Sequence, residues 1–143
     1  AINLWSATNL VEAARDYLAL SNGSIVCISS ICGLEVIPGA PLTYSAAKAA
    51  LNSYIKGVSR PLGKMGVRIN GVAPGNILHE SSVWSDKIYQ DEKSVKEMLE
   101  KEVSLSSLGS KKDVANLVTY LVSSVSGFVS GSIWTIDGGQ IRS

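Results

Sequence analysis

Residues 24–29 read SIVCIS, a short and continuous apolar run that is rich in β-branched side chains. Residues 67–73 read VRINGVA and repeat this pattern, until a Pro-Gly pair ends the run. Such runs are typical of strands that are buried on both faces of a parallel sheet. The alanine-rich residues 43–59 lie between them, begin with a plausible threonine N-cap and predict a helix. We therefore expect a strand, helix, strand unit, with right-handed crossovers between its parallel strands.

Three further helices and one further strand are predicted on either side of this unit. The helical patterns cover residues 2–20, 92–103 and 114–124, and the last apolar run covers residues 132–136. Ser110 and Asp113 stand at capping-box spacing before the third of these helices. These side chains are expected to begin that helix.

Loops are predicted where glycine and proline cluster or where periodicity is absent. Residues 30–42 contain two glycines and two prolines and predict a loop. Residues 76–89 show no clear periodicity and predict a long loop, which in a compact domain is usually functional or mobile. Pro61 is expected to end or kink the helix of residues 43–59.

The alternation of strands and helices predicts an α/β fold, a Rossmann-like doubly wound parallel sheet with helices on both faces. A chain of 143 residues, 45% of them hydrophobic, is expected to belong to one domain over residues 1–143. Three strands are too few for a stable sheet of this kind, and the first residue, Ala1, is not methionine. We therefore expect the chain to be the C-terminal half of a domain whose other strands lie upstream.

The composition argues against several classes of function. Charged residues make up 17% of the chain and the net charge is +1, so no face for nucleic acid is expected. No apolar run approaches the roughly 20 residues of a membrane span, and no signal segment opens the chain, so a cytoplasmic protein is expected. Two cysteines and one histidine cannot form a four-ligand zinc site, and no metal is expected. Cys27 is interpreted as a small buried hydrophobe.

Tyr44 and Lys48 lie four residues apart on the predicted helix, so their side chains share one face, one turn apart. A free phenol has a reference pKa of about 10 and is a poor acid or base at neutral pH. An adjacent ammonium and a cationic nicotinamide ring could together stabilise the phenolate and make it useful for proton transfer. The pair alone is a weak signal, because a tyrosine packed against a lysine stem is common at surfaces.

The position of the pair strengthens the signal. Tyr44 falls in the first turn of its helix, and the strand of residues 24–29 ends at Ser29-Ser30. Ligands of parallel sheets bind at the carboxyl ends of the strands, where a serine hydroxyl can bond to a substrate carbonyl. Strand alternation predicts that Ser29 and Ser30 point to opposite sides.

Several ordered motifs make the whole chain resemble the C-terminal half of the short-chain dehydrogenase/reductase family, of the classical, single-domain type. They are INLWSA (2–7), GSIVCISSICG (23–33), TYSAAKAAL (43–51), VRINGVAPGNI (67–77), KKDVANLVTYLVSS (111–124) and SGFVSGSIWTIDGG (126–139). The resemblance implies a reversible hydride transfer between NAD or NADP and a ketone or secondary alcohol. A 3-oxoacyl substrate, as in 3-oxoacyl-[acyl-carrier-protein] reductases, and a sugar-derived substrate both stay open.

The resemblance also implies roles for four residues in catalysis. Tyr44 is similar to the family's general acid/base, and Lys48 to the residue that makes this phenol more acidic and holds the nicotinamide ribose. Ser30, rather than Ser29, falls on the serine that orients the carbonyl oxygen. Asn3 falls on the asparagine that holds a water linking the lysine to solvent.

The same comparison implies a cofactor contact at Ile28, Pro74, Gly75 and Ile77, together with Tyr44 and Lys48. The Pro-Gly turn is expected to approach the nicotinamide, where a side chain would keep the cofactor away. His79 stands where relatives often have a threonine. The glycine-rich phosphate turn is absent from the chain, so roughly 100 further N-terminal residues are expected.

Two other functions are compatible with parts of the same pattern. One is the extended branch of sugar-nucleotide epimerases and dehydratases, which the short remainder of the chain after Lys48 and its TIDGG end argue against. The other is a non-catalytic nucleotide-sensing or assembly module that has kept the fold. The family resemblance further implies a homodimer or homotetramer that pairs through the helices of residues 2–20 and 43–59.

Overall fold

The computed structural model describes residues 2–142 of the chain, and Ala1 and Ser143, the ends of the predicted domain, lie outside them. The helices are α1 (Ile2–Ala19), α2 (Leu42–Lys64), α3 (Val83–Glu102) and α4 (Lys111–Val122). The strands are β1 (Ser24–Ile28), β2 (Arg68–Pro74), β3 (Ile77–Leu78), β4 (Gly109–Ser110) and β5 (Ile133–Ile136). Short 3₁₀ turns follow β1 and α4.

The main sheet has the strand order β1-β2-β5, and both strand pairs are parallel, which confirms the predicted α/β class. β2 is the central strand and is almost fully buried, as its apolar run predicts. β1 is the edge strand and is partly buried, and Ile28 at its carboxyl end is 46% exposed. No strand within residues 2–142 pairs with the outer side of β1.

Helices cover both faces of this sheet. Ile69 and Ile133 pack into a core with Leu51 and Ile55 of α2, which lies on one face. The next residue of β5, Trp134, makes an edge-to-face contact with Tyr120 of α4, at a centroid distance of 6.1 Å. Because successive residues of a strand point to opposite faces, α4 lies on the other face.

The two crossovers of the sheet therefore have opposite hands. α2 links β1 to β2 and α4 links β2 to β5, in the same direction across the sheet but over opposite faces. The expectation that all crossovers are right-handed is wrong for one of them. The reason is the long excursion after β2, in which α3 and the β3-β4 pair carry the chain past the strand ends before α4 begins.

α2 is longer than predicted, because it runs through Pro61 to Lys64. It also begins one residue earlier, with Pro41 at the N-cap and no side-chain cap from a threonine. Leu62 is 1% exposed and packs into the core. This packing holds the last turn of α2 in place, although Pro61 has no amide hydrogen to donate to a helical hydrogen bond.

The predicted loop of residues 76–89 is also wrong, because α3 begins at Val83. The Ser82 hydroxyl caps this helix by accepting a hydrogen bond from the Ser85 amide. Asp91 interrupts the helix with non-helical backbone angles, and its carboxylate accepts from the Ser94 amide. The predicted start at Glu92 thus corresponds to the second segment of α3. The predicted capping box of Ser110 and Asp113 is present at the start of α4.

Candidate active site

Tyr44, Lys48 and Asn52 occupy successive turns of one face of α2, beside the carboxyl end of β1. The Lys48 Nζ donates a hydrogen bond to the Ile28 carbonyl at 2.8 Å and lies 5.6 Å from the centre of the Tyr44 ring. The spacing that predicts a shared face thus brings the phenol and the ammonium together at the end of a strand.

Lys48 is only 8% exposed, which is unusual for a lysine. Burial lowers the pKa of Lys48, and the nearby Cys27 thiol acts in the opposite direction. Burial also raises the pKa of Cys27, in agreement with its interpretation as a small buried hydrophobe. A buried cation near a phenol acts more strongly than it would in water, because little solvent screens it.

Asn52 ties the end of β1 to α2, a role that the sequence analysis missed. The Ser29 hydroxyl donates to the Asn52 Oδ1 at 2.6 Å, and the Asn52 Nδ2 donates to the Gly33 carbonyl at 3.1 Å. Asn52 is 4% exposed, so this network is shielded from water. Extending the one-turn spacing from Lys48 to the next polar residue of the same face would have found it.

The two serines at the end of β1 have different partners. Ser29 is bonded to Asn52, whereas the Ser30 Oγ accepts a hydrogen bond from the Cys32 amide at 3.2 Å. Within residues 2–142 the Ser30 hydroxyl proton has no acceptor, so it can be donated to a ligand. Ser29 is occupied by the protein itself.

Gly33 lets the loop after Ser30 approach the backbone of α2. A Cβ on Gly33 would lie 2.6 Å from the Lys48 carbonyl carbon and 2.9 Å from the Ala49 nitrogen. Neither atom can rotate away, because both belong to the helix backbone. The close approach therefore fixes the distance between the serine loop and the lysine.

We expect Gly33→Ala to lower the free energy of unfolding by about 1–3 kcal/mol, the usual cost of overpacking. Urea denaturation measures this. The matched control is Gly57→Ala in α2, where a Cβ would meet nothing within 4 Å. Alanine there should stabilise the helix by about 0.5–1 kcal/mol. Equal effects at the two positions would contradict the close packing at Gly33.

The Pro74-Gly75 turn follows β2 and packs against the C-terminal TIDGG segment. The Gly75 amide donates to the Ile136 carbonyl at 3.0 Å, and a Cβ on Gly75 would lie 2.7 Å from the Asp137 Cβ. Glycine is thus required by the chain's own packing, a reason that the sequence analysis did not give. Ile77 follows in β3, so Pro74, Gly75 and Ile77 lie in one continuous turn at the carboxyl end of β2.

Asn3 lies on the exposed surface of α1 and lines the same cavity as Lys48 and Ile28. This cavity has a volume of 510 Å³ and runs along the free edge of β1. The structure thus brings Asn3 to the space that Lys48 faces. His79 lies in the turn between β3 and α3, where its Nδ1 is 3.4 Å from the Ser81 hydroxyl.

The residues at this end of the sheet fit the nicotinamide and ribose part of a dinucleotide. Gly75 presents no side chain, and Ile28 is exposed at the end of β1. The buried Lys48 lines the 510 Å³ cavity beside this strand. In residues 2–142 no three His, Cys, Asp or Glu side chains converge as a metal site would require. In the same part of the chain, no helix combines the length and the apolar character needed to cross a membrane.

The sequence is similar to a family model and to dehydrogenases of known activity. Residues 1–140 match the family model described as enoyl-(acyl carrier protein) reductase. The chain is 34% identical to isoepoxydon dehydrogenase of Penicillium expansum, covering 97% of the chain and 54% of that protein. It is 35% identical to L-rhamnose 1-dehydrogenase (NAD(P)(+)) of a Sphingomonas species, a match that covers 97% of this chain and 54% of that protein.

A solved structure shows the same architecture. The structure of 4-hydroxyisoleucine dehydrogenase complexed with NADH superimposes with a TM-score of 0.86 at 30% identity, covering 97% of this chain and 56% of that one. The chain spans about half the length of the curated relatives it matches.

Proposed function

The chain belongs to the short-chain dehydrogenase/reductase family, and from that premise we propose that the whole protein interconverts a ketone and a secondary alcohol with NAD or NADP. Residues 1–143 are its C-terminal catalytic half. The observation that carries the proposal is the Tyr44 and Lys48 pair, which Lys48 anchors to the end of β1. Ser30 follows this strand end, and its hydroxyl is free to donate.

In the reduction direction, Ser30 donates its hydroxyl proton to the substrate carbonyl oxygen and orients it. Tyr44 gives a proton to the same oxygen as an alkoxide forms, and takes it back in the oxidation direction. The bound nicotinamide supplies or accepts the hydride. Ile28, Pro74, Gly75 and Ile77 would hold the nicotinamide end.

Lys48 acts on the Tyr44 phenol through its positive charge. Its Nζ is anchored on the Ile28 carbonyl and borders the cavity that Asn3 also lines. In the whole protein, Asn3 would hold a water that links Lys48 to solvent.

We also propose an oligomeric state and a cellular location for the whole protein. Exposed aromatic side chains on α1, with Trp5 60% and Tyr17 77% exposed, favour a homodimer or homotetramer that buries this helix. The protein is assigned to the cytoplasm and to small-molecule carbonyl or alcohol substrates.

The test is oxidation of NADH and NADPH by the full-length protein over a panel of ketones. Turnover with net cofactor oxidation supports the proposal. Cofactor binding without turnover on any ketone would instead indicate a non-catalytic module, and sugar-nucleotide conversion without net oxidation would indicate an epimerase or dehydratase.

A further inference from the structure

The segment after β5 forms a rigid turn that presents Gln140. The Asp137 carboxylate accepts hydrogen bonds from the Gly139 amide at 3.0 Å and from the Ile141 amide at 2.9 Å. Ser104 donates to the Gly139 carbonyl at 3.0 Å and fixes the turn from outside. The backbone on both sides of Gln140 is therefore held by the Asp137 side chain.

The side chain of Gln140 carries an unsatisfied polar atom. Its Oε1 is buried and has no hydrogen-bond partner in residues 2–142. A buried acceptor without a donor is costly, and native proteins seldom keep one without a reason. The same Oε1 lies 3.2 Å from the position of a Cβ on Gly75, so it is next to the turn assigned to the nicotinamide.

Gln140 also lines a cleft of 710 Å³ that borders the segment after Ser30 and the turn after Gly75. Cys32, two residues after Ser30, and Asn76, between Gly75 and Ile77, connect the cleft to them. The rest of the wall comes from the loop after Ser30, from α3 and from Arg142. It combines the apolar side chains Val36, Ile37, Pro38, Ala40, Trp84 and Met98 with the charged side chains Glu35, Lys87, Glu102 and Arg142.

We propose that Gln140 is a specificity-determining residue that pairs with a hydroxyl group of the substrate, so that the substrate is a hydroxylated ketone or polyol rather than an unsubstituted acyl chain. This inference rests on the proposed oxidoreductase function and names its substrate class. A hydroxyl both donates and accepts, so it satisfies the carboxamide in either orientation of that group.

The cleft favours a substrate contact over a cofactor contact. Its lining includes Gln140 and Asn76 but not Pro74, Gly75 or Ile77, the residues assigned to the nicotinamide. An acyl chain could fill the apolar part of the wall, but it carries no donor for the Gln140 Oε1. Sites built to bond a hydroxyl reject the analogue that lacks it, because the buried polar group then stays unsatisfied.

The test compares Gln140→Leu with the parent in the full-length protein, using NADH or NADPH. The substrates are cyclohexanone, its 2-, 3- and 4-hydroxy derivatives, and a 3-oxoacyl thioester. The parent should prefer at least one hydroxylated ring over cyclohexanone by roughly 10- to 100-fold in kcat/KM. Gln140→Leu should abolish most of this preference while leaving the KM for the cofactor unchanged.

The matched control is Gln90→Leu, the same change at an exposed position of α3, which should keep the preference. The thermal midpoint of Gln140→Leu should not fall, because the change removes an unsatisfied buried atom. A parent that prefers cyclohexanone or the thioester, an unchanged preference in Gln140→Leu, or a raised cofactor KM would each overturn the inference. A parent that oxidises no cofactor with any ketone would instead overturn the proposed function itself.

Discussion

Tyr44→Phe is expected to reduce kcat for ketone reduction by about 10²- to 10⁴-fold in the full-length protein, the usual contribution of a positioned acid or base. Phenylalanine keeps the ring next to the Lys48 ammonium but removes the proton that the mechanism transfers. Cofactor affinity, measured by fluorescence titration of NADH or NADPH, should change little, because most of the cofactor contacts are retained.

The matched control for this variant is Tyr54→Phe on the same helix. The Tyr54 hydroxyl is buried and has no hydrogen-bond partner among residues 2–142, so its removal should leave kcat unchanged and the fold intact. If Tyr44→Phe retained more than about a tenth of the parent kcat, Tyr44 would not be the general acid and base.

Lys48→Met is expected to lower kcat by about 10²-fold or more, because it removes the cation beside the phenol but keeps an unbranched stem in the same space. The KM for the cofactor should rise as well, because Lys48 is assigned a ribose contact. The exposed Lys56 of the same helix provides the control, and Lys56→Met should leave both constants unchanged.

The stability of Lys48→Met should separate catalysis from folding. Burial lowers the pKa of Lys48 in the folded state, below the ordinary value of 10.5 that applies to the unfolded chain. Below the lowered pKa, both states are protonated and the folded state bears the full cost of the buried charge. Between the lowered pKa and 10.5, the unfolded chain binds more protons than the folded protein. The free-energy cost of burying the charged Lys48 therefore disappears as pH rises through this range.

Lys48→Met should therefore unfold at no lower urea concentration than the parent at neutral pH. Its relative advantage should shrink as pH rises through the lowered pKa toward 10.5. Urea denaturation of both proteins at neutral and alkaline pH measures this. A large loss of stability at neutral pH would show that Lys48 supports the fold, and the loss of activity would then say little about catalysis.

Periodicity and cap spacing were sufficient to predict much of the fold. Strands of continuous apolar residues, such as β2, are recognisable because both of their faces are buried in the sheet. The Ser110 and Asp113 capping box is a local hydrogen-bond pattern, so its spacing alone predicts the start of α4. The motifs that carry the family resemblance follow the same elements.

The errors arise where tertiary contacts override local signals. Pro61 lies inside α2, because burial of Leu62 compensates for the lost backbone bond. The first segment of α3 and the β3-β4 pair escaped prediction, since two-residue strands have no detectable alternation. The hand of the last crossover depends on which face α4 covers, which no local pattern specifies.

The candidate site was predictable where its residues share one element. Tyr44 and Lys48 can be found from their spacing on one helix. Gln140 and Asp137 could not be found in this way, because their importance comes from contacts with Gly75, a residue far away in sequence. Asn52 lies between these cases, since its position on α2 is predictable but its partners in the serine loop are not.

The proposed mechanism requires this chain to supply the proton for a hydride transfer at a ketone. The most direct test follows deuterium into the alcohol product of the full-length protein, from NADH or NADPH that carries deuterium at both hydrogen positions of carbon 4 of the nicotinamide. The proposed function predicts label on the carbinol carbon, formed at least about 100-fold more slowly by Tyr44→Phe at equal cofactor occupancy. Absence of label from the product, or equal rates for parent and variant, would contradict it.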